Sequence, residues 1–97
     1  MIIDGTRFAL IKRAGSETSG YTEEDIYYLG SPTLLGAIMN LKQLAREYAK
    51  DPRCAVDWLS DTAFIVWWAD ETGAFIIDES TERYIFRIER KDYTIEI

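Results

Sequence analysis

Between residues 31 and 50 the apolar side chains recur at helical spacing, and elsewhere they alternate or run in short bursts between turn residues. Leu34, Ile38, Leu41, Ala45 and Tyr48 fall at intervals of four, three, four and three, with Leu35, Ala37 and Leu44 widening the stripe. Gly30-Ser31-Pro32 is an entry signal, because a serine cap can accept an orphan backbone N–H and proline loses nothing at the first helical position. Asp51-Pro52 is the stop. One helix, over about 31–50, is therefore expected, with its apolar stripe facing the core. Lys42, Arg46 and Lys50 form a basic stripe on another face, near the negative end of the helix dipole, and read as a solvated surface.

One helix among strand-period segments defines an α+β fold. Strands are expected at 6–13, 26–29, 55–59, 62–69, 74–78, 83–90 and 93–97, with 60–61, 70–73, 79–81 and 91–92 as turns. Residues 14–25, glycine-bearing and small-polar, read as a loop. Asp70 to Gly73 has the form of a type I turn closed by a left-handed glycine. Short connections favour antiparallel neighbours, so the expected order is ββαββββ: an antiparallel sheet of five to seven strands, a C-terminal meander and one helix on one face. The 97 residues, 47% hydrophobic with 13% aromatic, suit a single domain with a core of its own.

The composition removes much chemistry. Histidine is absent, and with it the usual general base, the Ser-His and Cys-His pairs and every His-containing metal set. Cys54 is the only cysteine, which excludes an internal disulfide and reads as a small buried apolar residue in a reducing compartment. Gly30 to Gly36 lacks the lysine of a phosphate loop and carries a proline where donors are needed. Carboxylate groups such as Asp70/Glu71, Asp78/Glu79 and Glu23/Glu24/Asp25 sit in expected turns or loops, where solvation is the ordinary state. No apolar window has the length to cross a bilayer, and the amino end lacks a basic region leading into an apolar one. A non-enzymatic cytoplasmic protein without cofactor or metal is expected.

The charge has an address. Residues 54–82 carry seven acids (Asp57, Asp61, Asp70, Glu71, Asp78, Glu79, Glu82) and no base, for −7, while ten acids against eleven bases elsewhere give +1. Phosphate binding needs the opposite sign, so the expected partner is a protein with a positively charged surface, with no direct nucleic-acid or membrane contact. Within the same segment Trp67-Trp68 must point to opposite faces of a strand, as must Tyr27-Tyr28 earlier. One helix covers one face, so an aromatic anchor ringed by acidic turns is expected, unless the sheet curls or the 63–68 run is buried on both sides. In the expected meander Asp61 lies with Asp78, Glu79 and Glu82 at one end of the sheet, and Asp70 with Glu71 at the other.

No motif identifies a family. In size, acidity, compact α+β order and missing catalytic groups the chain resembles small phage-encoded inhibitors of bacterial defence, including anti-CRISPR proteins and DNA mimics. That resemblance implies an inhibitor that occludes a basic surface on a nucleic-acid-handling complex of the bacterial host, with Asp70, Glu71, Asp78, Glu79 and Glu82 as phosphate-like charges and Trp67 or Trp68 as anchor. The alternatives are an immunity protein or antitoxin for a basic toxin, and a homo-oligomeric scaffold that pairs through the open sheet face.

Overall fold

The strands form a single five-stranded sheet in a computed structural model that describes residues 1–97. In chain order the elements are β1 (Ile2–Ser16), β2 (Gly20–Asp25), a 3-10 turn (Tyr27–Leu29), α1 (Leu34–Ala49), β3 (Cys54–Ser60), β4 (Ala63–Trp68) and β5 (Arg83–Glu96). The sheet order is β2-β1-β5-β4-β3, every neighbour antiparallel. This is the α+β architecture of one sheet and one helix that the periodicity predicts.

The sheet is built around β1 and β5, which pair from Ile2↔Glu96 through Gly15↔Arg83. Their neighbours are shorter. β2 begins its pairing at Ile11↔Asp25, and β4 meets β5 only from Ala63↔Arg87 to Val66↔Tyr84. The remainder of β1 and β5 therefore projects as a two-stranded arm, and the molecule extends 59 Å along its longest axis against 27 and 19 Å across.

Strand alternation sorts the side chains onto two faces. On the helix side Leu10, Phe64, Val66 and Phe86 meet Leu41 and Ala45 of α1 in a buried cluster. Phe64 lies directly opposite Phe86, and their rings stack with centroids 5.0 Å apart. Tyr48 of α1 packs edge-on against Trp68 and Tyr84, each at 6.3 Å. On the other side no helix is present, yet Ala9, Ile11 and Trp67 are buried. Arginines occupy this face. The Arg83 guanidinium lies 4.4 Å from the Trp67 ring, Arg87 pairs with Glu23 at 3.1 Å, and Arg7 pairs with Asp25 at 2.6 Å. Long arginine stems can cover apolar surface while their heads remain wet, which does the work of a second layer.

Several boundaries differ from expectation, each for a physical reason. The second strand lies within the segment read as a loop, because β2 is a polar edge strand with no apolar alternation to reveal it. Residues 26–29, read as a strand, form the 3-10 turn, whose three-residue period points Ile26 and Leu29 together at the core and leaves Tyr27 and Tyr28 exposed. The helix begins at Leu34 with Thr33 as its cap, the Thr33 hydroxyl accepting from the Gly36 N–H at 3.1 Å, while Ser31 accepts from the Thr33 N–H one step earlier. Leu34 and Leu35 consequently overhang the sheet and are exposed. Lys91 and Asp92 do not break the last strand. β1 offers an unbroken ladder partner there, and the Asp92 carboxylate accepts from the Thr6 hydroxyl at 2.9 Å, so β5 runs straight through. Residues 74–78 form no strand, since both sides of β4 are taken by β3 and β5. The order is ββαβββ: of the five strand segments expected after the helix one is absent and two are fused, which leaves three.

Candidate functional site

The feature that separates this surface from the rest of the molecule is the connection between β4 and β5, residues 69–82. It contains five acids and no base, Asp70, Glu71, Asp78, Glu79 and Glu82, all exposed. Between them Phe75, Ile76 and Ile77 are 40, 59 and 57% exposed. Three consecutive apolar residues thus stand in water between acids of one sign, where most exposed apolar side chains stand singly.

The connection is irregular in secondary structure but fixed in conformation. Asp70 closes the first turn, its Oδ1 accepting from the Thr72 N–H at 2.8 Å, the Thr72 hydroxyl at 2.6 Å and the Ala74 N–H at 3.0 Å. Gly73 takes φ +85°, the left-handed position that a side chain would strain, and its N–H donates to the Asp70 carbonyl at 3.0 Å, so the turn read from residues 70–73 is present. Asp78 closes the second turn, its Oδ1 accepting from the Ser80 N–H at 2.8 Å and the Ser80 hydroxyl at 2.7 Å. These bonds to the ionised form hold both carboxyls below their ordinary range, the Thr72 hydroxyl contributing most at Asp70 and the Ser80 hydroxyl most at Asp78.

Two anchors tie the connection to the sheet. Arg83 donates from Nη2 to the Asp78 carbonyl at 2.7 Å and from Nε to the Thr81 carbonyl at 3.1 Å. The turn between β1 and β2 supplies the other: the Thr18 N–H donates to the Glu79 carbonyl at 3.0 Å, and the Ser19 hydroxyl to Glu82 Oε1 at 3.2 Å. Glu17, exposed in that same turn, adds a sixth carboxylate to this end of the sheet.

The nine residues singled out by sequence do not all converge. Asp70, Glu71, Asp78, Glu79 and Glu82 share one end of the sheet, whereas the expected alternation of connections would split them between two ends. The reason is the missing strand at 74–78, which merges two expected turns into one crossing. Asp61 lies alone in the tight β3–β4 turn at the opposite end, and Asp57 stands midway along the edge strand β3. Trp67 and Trp68 do point to opposite faces, but neither is an exposed anchor. Trp67 is 7% exposed beneath Arg83, and Trp68 packs at 4.5 Å against Tyr84 and edge-on to Tyr48 on the helix side. The exposed apolar residues of this segment are instead Phe75, Ile76 and Ile77. Their failure to alternate was the available signal: three consecutive apolar residues between acids fit a two-faced strand poorly when no neighbour remains to bury the second face.

Elsewhere, Lys42 and Arg46 of the basic helix stripe line a shallow groove with Trp58, Val56, Ala45 and Ala49. Cys54 is half-buried, and burial raises its thiol pKa, which disfavours the thiolate. No three of the chain's Cys, Asp and Glu side chains cluster in a way that could hold a metal ion. No helix is long and apolar enough to cross a membrane. No family model matches the chain, and comparison with curated proteins and with solved structures found no match.

Proposed function

We propose that the protein is a non-enzymatic binding module that docks residues 69–82 onto a basic surface of a protein partner. The reading rests on one observation: five carboxylates, with no base among them, flank three exposed apolar residues in a connection already held in shape by Asp70, Asp78 and Arg83. Fixing the segment beforehand lowers the ordering cost of association. The carboxylates would steer approach and set orientation, while Phe75 and Ile76 would supply the contact that slows dissociation. A groove that handles nucleic acid is the basic surface such charges fit best, and occupying it would make the module an inhibitor.

The test is capture from bacterial host lysate with wild-type bait and with a bait carrying Glu71→Lys and Glu79→Lys, acids whose side chains hold no turn. A basic partner retained at 50 mM salt, lost from the reversed bait and weakened at 300 mM supports the reading. Retention indifferent to both salt and charge reversal overturns it. The partner's nature then separates an inhibitor of a nucleic-acid-handling complex from an immunity protein, which would retain a single basic toxin.

A further inference from the structure

The two-stranded arm is the least supported part of the sheet. From Ile2↔Glu96 to Thr6↔Asp92 only β1 and β5 are present, and an isolated two-stranded ribbon is marginal in water. Its side chains are sorted by face. Ile3, Tyr93 and Ile95, exposed and apolar, share one face, while Asp4, Thr6, Asp92 and Thr94 share the other, joined by the bonds Thr6–Asp92 and Thr94–Asp4 at 2.9 and 2.8 Å. Both outer edges of the arm are open.

The open edge of β5 has a defined polarity. The Ile88 N–H donates outward to the Thr62 carbonyl at 3.0 Å, so in an antiparallel ladder the even-numbered residues beyond it also point their backbone groups away from β1. Arg90, Asp92, Thr94 and Glu96 therefore present unpaired N–H and C=O groups in a row. The β3–β4 hairpin takes this edge only as far as Ile88.

We propose that this edge pairs antiparallel with the same edge of a second copy, about a two-fold axis at Tyr93. Register is selected by charge. Centred on Tyr93, Arg90 of each copy stands opposite Glu96 of the other, and Asp92 opposite Thr94. Sliding the pairing two residues one way sets Asp92 against its own symmetry mate. Sliding it two residues the other way sets Asp92 against Glu96. Both juxtapose like charges, which cross-strand neighbours disfavour. The open edge of β1 is a poorer template, since a self-pairing over its free residues centres Asp4 on Asp4, and the Phe8 backbone is already bonded to Ser31.

The pairing joins two two-stranded arms into a four-stranded sheet with the two β5 strands at its centre. Four residue pairs would exchange about eight backbone hydrogen bonds. Tyr93 falls at a non-hydrogen-bonded position, where facing backbones approach most closely, and its ring lies back over Gly5 of β1, so the apolar stripe of Ile3, Tyr93 and Ile95 in one copy is brought beside that of the other. Each hairpin ends at Ile88 and each partner strand begins at Arg90, so the two occupants of one edge adjoin without overlapping.

Sedimentation of the full chain from 1 to 100 μM tests this. The wild type is expected to dimerise within that range. Arg90→Glu should weaken the dimer roughly tenfold, because two symmetry-related pairs turn from opposite to like charge, and the double variant Arg90→Glu/Glu96→Arg should restore it. Thr94→Pro removes a donor that faces outward, not toward β1, and should give a folded monomer by circular dichroism. A wild type that stays monomeric at 100 μM, or a dimer that persists in Thr94→Pro, overturns the proposal. So does a double variant as weak as Arg90→Glu, and as those side chains are exposed this arm of the test holds even if the proline variant fails to fold. Reversing Glu71 and Glu79 should leave the dimer unchanged, which separates it from docking by residues 69–82.

Discussion

Arg83 holds two regions together, with its guanidinium over the Trp67 ring and its donors on the Asp78 and Thr81 carbonyls. Arg83→Ala should uncover Trp67 and remove one of the two anchors of the acidic connection. The expected outcome is a red-shifted, more readily quenched tryptophan emission in a Trp58→Phe background, with a stability loss of about 1–2 kcal/mol from the lost stacking and hydrogen bonds. Arg83→Lys keeps the charge but not the planar fork and should recover only part of the loss. Asp70 and Asp78 give a pH prediction. Their folded pKa values lie below the ordinary carboxylate value of about 3.9, so their stabilisation is fully present above that value and is lost as pH falls through the lower folded one. Carboxyl titrations followed by NMR should place both midpoints below the ordinary aspartate value. Sequence made the opposed faces of Trp67 and Trp68 legible. It did not show that an arginine from the next strand would cap the first of them, because that contact depends on the β4–β5 register.

At the scale of elements the helix was read nearly whole, since sixteen residues of apolar periodicity leave little freedom. The strands were read where one face is buried. They were missed where neither is, as in β2, and broken where a charged pair mimics a turn, as at Lys91-Asp92. The acids of the candidate site were all visible in sequence, but their gathering at one end was not, because it follows from the absence of a strand at 74–78. Gly15 tests the β1–β2 hairpin. It adopts φ +143° opposite Tyr21, and a Cβ there would collide with the Gly20 carbonyl oxygen, so Gly15→Ala should cost about 2 kcal/mol or more in urea unfolding. Phe86→Ala removes the ring stacked on Phe64 at the centre of the core and should cost about 3–5 kcal/mol in the same measurement. Together the two variants separate a local backbone constraint from the loss of the shared core.

On the scale of the whole molecule, the sheet joins the two ends of the chain through its middle. Two local hairpins, β1–β2 and β3–β4, are close in sequence, but what connects them is the ladder that zips residues 2–15 against residues 83–96. Neither hairpin can share a core with the other until the whole length between them has been gathered in. Loop closure must therefore precede most of the favourable burial, and refolding in stopped-flow fluorescence should run in milliseconds to seconds. The same ladder gives the protein an unusual vulnerability to cutting. A nick in an exposed edge element leaves the sheet's centre bonded, whereas deletion of residues 83–96 removes the strand that both halves share and leaves the two hairpins with only α1 in common.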